Sequence, residues 1–276
     1  MTPSEPSSSH LIDPASLAAL PRSAGVYIFQ GVGTLPLYIG KSVDIRSRVL
    51  AHLRAEDEAA MIAQSRRVDY IETAGEIGAL LLEARLIKEQ SPLFNIRLRR
   101  LRNLCAIQLT EKAGERAPVV VSGQDVPVGR TDDLYGLFGS VHAAQSKLRE
   151  LADQHRLCLG LLGLEKISPR GCFGLQVKTC LGACVGQEAR QDHDQRLFSA
   201  LLDLKVHAWP YPGAVDLLES NGDWIQRHRI QDWRYMGTWC SRSQQMVRHE
   251  QLRFDLDTYK ILVKPLMLKT ARIEPA

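Results

Sequence analysis

Two tyrosines, Tyr27 and Tyr38, sit in short apolar runs that carry glycines. The runs are Gly25-Val26-Tyr27-Ile28-Phe29 and Leu35-Pro36-Leu37-Tyr38-Ile39-Gly40, with Gly31 and Gly33 in the gap between them. Two β-type runs joined by a short glycine-bearing loop read as a hairpin. The tyrosines then lie on neighbouring strands, within reach of one site. Lys41 follows directly, Arg46 and Arg48 come soon after, and Glu83 and Asn95 lie further on. Phenols, cations and a carboxylate together suit phosphodiester cleavage. That reaction needs an activated water, charge stabilisation on the phosphate and help for the leaving oxygen. Glu83 stands in an otherwise apolar stretch, where a buried carboxylate must be paired or bind a cation. The plainer alternatives are an exposed glutamate on a helix turn and tyrosines that pack in a core with satisfied hydroxyls.

The elements that must position these residues are also legible. Asp13-Pro14 opens a short helix. Asp44 is suited to cap a helix running to about Ser65, with Val49, Leu50 and Leu53 on its apolar side. Residues 67–73 alternate as a half-buried strand. Residues 76–90 form the strongest predicted helix, ended by Ser91-Pro92 because proline disfavours helical geometry in the residue before it. The result is a compact ββαβα unit. Beyond it, 106–110 and 118–121 read as strands and 141–155 as a helix. The runs 202–206, 213–218 and 258–263 read as strands, with a turn at Asn221-Gly222.

These motifs, in this order, resemble the GIY-YIG nucleases and, more narrowly, the N-terminal nuclease half of the excinuclease UvrC. Besides the two triplets, Leu80-Leu81-Leu82-Glu83-Ala84-Arg85-Leu86-Ile87-Lys88 and Ser91-Pro92-Leu93-Phe94-Asn95-Ile96-Arg97-Leu98 carry the likeness. It extends over roughly residues 20–190. Val26 replaces the isoleucine of the first family triplet. The resemblance implies that Tyr38 is the general base, that Glu83 holds one Mg²⁺ or Mn²⁺ ion, and that Tyr27 orients water or contacts phosphate. It selects Arg48 over Arg46 to neutralise the scissile phosphate, and it gives Asn95 an architectural role. Lys41 and the metal are the cations expected to favour the Tyr38 phenolate. Gly40-Lys41-Ser42 also looks like the end of a P-loop. That motif needs a glycine where Leu35 stands, so an NTPase is unsupported.

Cys158, Cys172, Cys180 and Cys184 are four of the six cysteines, within 27 residues. Four thiolates suit tetrahedral zinc or an iron–sulfur cluster. The spacing fits no short zinc-finger pattern, and small buried residues in a loop-rich connector are the plain alternative. UvrC proteins have a similar quartet, which implies a 4Fe-4S cluster. Cys105 and Cys240 stand apart.

The chain has 276 residues, 45% hydrophobic and 24% charged, with a net charge of +4. That is an ordinary globular composition, compatible with nucleic acid but not diagnostic of it. Arg97, Arg99, Arg100 and Arg102 are four arginines in six residues. With Arg46 they are candidate DNA contacts; a solvated basic surface is the alternative. In the C-terminal part, tryptophans alternate with arginines, which suits either base stacking or the core of a small β-domain. No apolar stretch is long enough to span a bilayer. The N-terminus lacks a secretory pattern, so a cytoplasmic, nucleoid-associated protein with reduced cysteines is expected.

The expected fold class is α/β (α+β). A disordered tail covers 1–19 and a GIY-YIG nuclease domain 20–100, with a small central sheet flanked by helices. A connector with the Cys-rich loop covers 101–190, and a small β-rich module 191–276. The chain resembles short UvrC homologues that lack the second nuclease domain. This implies an excision-repair endonuclease making the 3′ incision in damaged double-stranded DNA loaded with UvrB, acting as a monomer. A stand-alone structure-selective or mobile-element nuclease and a non-enzymatic DNA-binding adaptor are the alternatives.

Overall fold

The computed structural model describes residues 10–95, 104–112, 114–122, 126, 128–249 and 254–276. The chain forms two compact units. One combines the residues up to 101 with those from 211 onward; the other spans 102–210.

In the first unit, Asp13 caps helix α1 (Pro14–Ala18) by accepting the Ala15 N–H. Ile12 and Leu20 flank this helix and are buried against Ile45 and Val49. The ordered nuclease core therefore starts before residue 20, and the expected tail of 1–19 is too long. Strands β1 (Gly25–Gln30) and β2 (Pro36–Ser42) form the hairpin. Helices α2 (Ile45–His52) and α3 (Ala59–Gln64), strand β3 (Arg67–Glu72) and helix α4 (Glu76–Gln90) follow. The sheet order is β2-β1-β3, antiparallel throughout.

Alternation along β1 splits its side chains between two layers. Val26 and Ile28 join Ile39 against Leu86 and Ile87 of α4. Tyr27 and Phe29 face the other way, onto Ile45, Val49, Met61 and Ile62. The single helix expected from Asp44 to Ser65 is broken. Ala55 is extended, and Glu56–Glu58 form a 3₁₀ turn before α3. Three consecutive acids suit the N-terminal approach to a helix better than its interior. The break also turns Glu58 back toward His52.

In the second unit, β4 (Cys105–Lys112) lies between β5 (Glu115–Ser122) and β6 (Leu134–Phe138). Helix α5 (Val141–His155), capped by Ser140, covers this sheet; α6 (Phe173–Gln176) and α7 (Arg190–Leu201) follow. Leu197 and Leu201 of α7 share a core with Ile107, Leu148 and Leu151. The boundary expected at 190 therefore falls too early, because α7 belongs to this unit. The expected strand at 202–206 is a 3₁₀ turn over Leu202–Leu204, with one bridge between Lys205 and Tyr135.

The chain then returns to the first unit with β7 (Val215–Asn221), β8 (Trp224–Gln231), β9 (Arg234–Cys240), β10 (Gln245–Arg248), helix α8 (Leu256–Met267) and β11 (Arg272–Pro275). The five strands order as β10-β9-β8-β7-β11. Residues 258–263, expected as a strand, lie in α8. Asp255 caps it by accepting the Thr258 N–H at 3.1 Å and its hydroxyl at 2.8 Å. Tyr259, Leu262 and Leu266 recur at helical spacing and are buried. Trp224, Trp233 and Tyr235 are core residues, and the Trp233 ring lies 5.0 Å from that of Tyr259.

Candidate active site

Register explains how the two tyrosines meet. Tyr27 stands opposite Gly40 and Phe29 opposite Tyr38. A Cβ at Gly40 would lie 2.3 Å from the Tyr27 hydroxyl oxygen and 2.8 Å from the Tyr38 ring. The second triplet thus needs glycine to leave room for both phenols. Their ring centroids are 6.2 Å apart.

The Tyr27 hydroxyl lies 2.6 Å from His52 Nε2. His52 Nδ1 in turn engages the Glu58 carboxylate. Because that carboxylate accepts, the Nδ1 carries the proton and the bare Nε2 accepts from Tyr27. His52 is only 2% exposed. Burial pushes its pKa down and Glu58 opposes this only in part, which favours the neutral ring. Sequence reading missed both His52 and Glu58. The signal was available: His52 lies one helical turn beyond Arg48 on α2, hence on the same face.

The Arg48 guanidinium hydrogen-bonds Tyr27 and acts electrostatically on both phenols. Burial raises the Tyr27 and Tyr38 pKa values, and Glu83 raises both further; Tyr38 also raises Tyr27, whereas the hydrogen bond from Tyr27 and the charge of Arg48 pull Tyr38 the other way. Glu83 is itself raised by burial, opposed by the Lys41 N–H that donates to its Oε1 at 3.0 Å. Three acidic groups thus converge with Arg48 as the cation acting on the tyrosines. A divalent cation beside Glu83 fits this surplus of acceptors.

Lys41 does not do what was expected of its side chain. Its Nζ lies 2.5 Å from Glu76 Oε1, and its link to the site is the backbone bond to Glu83. Arg46 also points elsewhere, donating to the Ala18 carbonyl at the end of α1. Asn95 accepts the Ile39 N–H at 2.9 Å and donates to the Ile39 carbonyl at 2.8 Å. It ties the segment after α4 to β2 like an added strand residue. Arg97, Arg99, Arg100 and Arg102 lie outside the described residues.

A second candidate site lies in the other unit. The Sγ atoms of Cys158, Cys172, Cys180 and Cys184 all lie within 4.8 Å of one another. Three of these residues are buried, and Leu161 and Leu175 pack around them. The Leu175 N–H donates to Cys172 Sγ and the Gly182 N–H to Cys180 Sγ, both at 3.3 Å. His193 Nε2 accepts the Cys158 N–H at 3.2 Å, fixing the loop from below. Burial pushes the Cys158 thiol up to about 11 and raises Cys172 as well. At Cys184 burial also raises the thiol, but hydrogen bonds from Cys172 and Cys158 outweigh it and the pKa falls. Converging thiols with N–H donors on sulfur are suited to thiolates held by a metal centre.

Comparison with known proteins covers most of the chain. A family model described as a UvrC-like GIY-YIG domain matches residues 23–96. The UvrC/Cho excinuclease middle domain matches 104–203, and the excinuclease Cho C-terminal domain matches 214–276. Excinuclease cho of Escherichia coli K12 is 52% identical over 252 residues, covering 90% of this chain and 84% of that protein. The UvrABC system protein C of Methanosarcina acetivorans is 28% identical over 193 residues, or 68% of this chain and 36% of that protein. Among solved structures, the N-terminal endonuclease domain of UvrC from Thermotoga maritima, bound to magnesium as its catalytic divalent cation, is 31% identical. It covers 29% of this chain and 92% of that one, with a TM-score of 0.28.

Proposed function

Because the chain belongs to the excinuclease Cho family of UvrC-type GIY-YIG nucleases, we propose that it makes the 3′ incision in damaged double-stranded DNA held by UvrB. The observation that carries the chemistry is the convergence of Tyr27, Tyr38, Arg48 and Glu83 at one end of the three-stranded sheet.

Tyr38 takes the proton of the attacking water as a phenolate, the form that Arg48 and a divalent cation beside Glu83 would favour. Tyr27 stands behind it, with its own hydroxyl bonded to the neutral face of His52, so Tyr27 presents its oxygen lone pairs forward. Arg48 draws negative charge onto these oxygens and neutralises the scissile phosphate. Glu83 would hold a single Mg²⁺ or Mn²⁺, which would supply stabilisation of charge on the leaving-group side. Lys41 fixes the Glu83 carboxylate through its backbone N–H, and Asn95 fixes the strand that carries Tyr38.

The cysteine quartet would hold a metal centre. The resemblance reads it as a 4Fe-4S cluster; the close spread of the four sulfurs suits one zinc ion, whose tetrahedral edges are about 3.8 Å. Its role is structural, since no acid–base group of the nuclease site lies among its ligands. No lesion-reading motif stands in the sequence, so damage recognition is assigned to the UvrB partner. No helix among the described residues is long and apolar enough to cross a membrane. We read the protein as a monomer acting at the nucleoid.

The test is incision of an end-labelled duplex carrying one bulky adduct, in Mg²⁺, with and without UvrB and ATP. A single UvrB-dependent nick 3′ of the adduct, lost in Glu83→Gln, is the expected result. Cutting without UvrB moves the protein to the stand-alone GIY-YIG enzymes. No cutting under any condition moves it to the adaptors.

A further inference from the structure

Helix α4, which carries Glu83, has no cap of its own. Gly75 occupies its N-cap position and has no side chain to accept the first amides. Glu219 of β7 supplies that cap from far along the chain. Its Oε1 accepts the Ile77 N–H at 2.8 Å and its Oε2 accepts the Gly78 N–H at 2.7 Å. A carboxylate there satisfies two orphan donors and complements the positive end of the helix dipole. The Glu219 side chain is 12% exposed and is braced by His228, whose Nε2 lies 3.1 Å from Oε2. His228 Nδ1 meets the Thr238 hydroxyl at 2.7 Å on β9.

The fit is close enough to dictate sequence on both sides. A Cβ at Gly75 would lie 2.3 Å from Glu219 Oε1, and one at Gly78 would lie 2.8 Å from His228 Cε1. The far end of α4 is held from the same C-terminal segment. Lys88 Nζ lies 2.5 Å from Asp255 Oδ1 and 2.9 Å from Asp257 Oδ2. Just before the helix, the Ala74 N–H donates to Gln226 Oε1 at 2.9 Å.

Between these anchors, one face of α4 presents Glu76 and, two turns on, Glu83. Both engage Lys41, the first through Nζ and the second through the backbone N–H. Sliding the helix by one residue, about 1.5 Å, would unhook both. We propose that the C-terminal sheet is a positioning device for the nuclease site: Glu219, locked by His228, sets the axial placement of α4 and so the reach of Glu83 toward its metal and toward Tyr38. Glu219 is a positioning residue that touches neither substrate nor metal. The proposal rests on the reading of Glu83 as the metal ligand.

The test is direct Mn²⁺ binding to the full-length protein without DNA, followed by electron paramagnetic resonance. Amide exchange at the start of α4 is measured in parallel. Glu219→Gln removes the charge and one acceptor; Gly78→Ala wedges the helix away from His228. Both are expected to weaken Mn²⁺ binding about 10-fold, the scale of loss when a ligand's supporting contacts are removed, and to speed exchange at Ile77 and Gly78. Arg229→Gln breaks the Arg229–Asp216 pair of the same sheet and serves as the control. It is expected to lower the melting temperature without changing Mn²⁺ binding. Glu83→Gln separates the two readings. If it weakens binding while Glu219→Gln and Gly78→Ala bind Mn²⁺ like the wild type, the positioning proposal is overturned alone. If Glu83→Gln also binds normally, the metal assignment falls and the proposal with it.

Discussion

His52 Nε2 lies 2.6 Å from the Tyr27 hydroxyl oxygen, and the other nitrogen of the same ring is committed to Glu58. The lowered pKa of the ring favours the neutral imidazole, with Nε2 accepting from Tyr27; a doubly protonated ring would turn Nε2 from acceptor to donor.

A pH dependence follows. The folded-state pKa of His52 is lowered, chiefly by burial. For a depressed histidine the unfolded chain takes up a proton first, near pH 6.5. The stability tied to the neutral ring is therefore present above that pH and is lost as pH falls through the lower folded value. Incision is expected to fall along the same limb. His52→Phe, which keeps an aromatic ring but no acceptor, is expected to lose about 10²-fold in single-turnover incision, at the low end of acid–base contributions. Its remaining activity should lack that acid limb. A wild-type rate that stays flat down to pH 5 would rule out this role for the ring.

Gly40→Ala tests the packing of the two phenols. The added methyl has to displace the Tyr27 hydroxyl, since backbone on both sides is held in the sheet. Overpacking of this kind costs about 1–3 kcal/mol. The melting temperature should drop by several degrees while the circular dichroism spectrum is retained. Incision should fall much further than stability, because the methyl sits between the reacting groups. Equal, modest losses in both would mean that the phenol pair tolerates displacement.

Much of the candidate site was legible because its residues sit in elements with strong local signals. The hairpin is written in β-branched and aromatic runs with glycines between, and α4 in a broad apolar face that stops at Ser91-Pro92. What stayed hidden depended on distant contacts. Nothing local to Lys41 says that its ammonium turns to Glu76. Nothing near Gly75 says that Glu219 caps the helix. Residues 258–263 are rich in β-formers, yet the Asp255 cap and the burial of Leu262 and Leu266 make them a helix. Tertiary context decided each of these against local propensity. The cysteines were visible as a set, but only the fold brings Cys158 to the other three.

Asp255 offers a second pH-linked test, remote from the chemistry. Burial alone would raise its carboxyl, but Lys88 and the Thr258 bonds outweigh it and the pKa is lowered. A depressed aspartate contributes stability above its unfolded value, near pH 4, and that contribution is lost as pH falls further. Asp255→Asn retains a capping side chain but loses the charge opposite Lys88, which keeps Asp257. A loss of about 1–3 kcal/mol is expected at pH 7. The gap to wild type should narrow as the pH is lowered toward 3. Urea denaturation at a series of pH values measures both; a gap independent of pH would assign the loss to packing instead.

Metal content decides the chemistry of the cysteine quartet. Protein purified without oxygen should carry either iron with inorganic sulfide and broad absorption near 400 nm, or about one zinc per chain. Removing the metal leaves four thiols crowded within 4.8 Å, among them Cys158, which burial holds up to about 11. Structural metal sites contribute folding free energy directly. Cys172→Ser should therefore lose the metal and destabilise the middle unit, with exchange rising first around α6 and the Leu162 core. Purified nuclease activity on preloaded DNA should decline through that instability rather than through the pH profile of the tyrosines. A variant that keeps full metal and melts like the wild type would remove Cys172 from the ligand set.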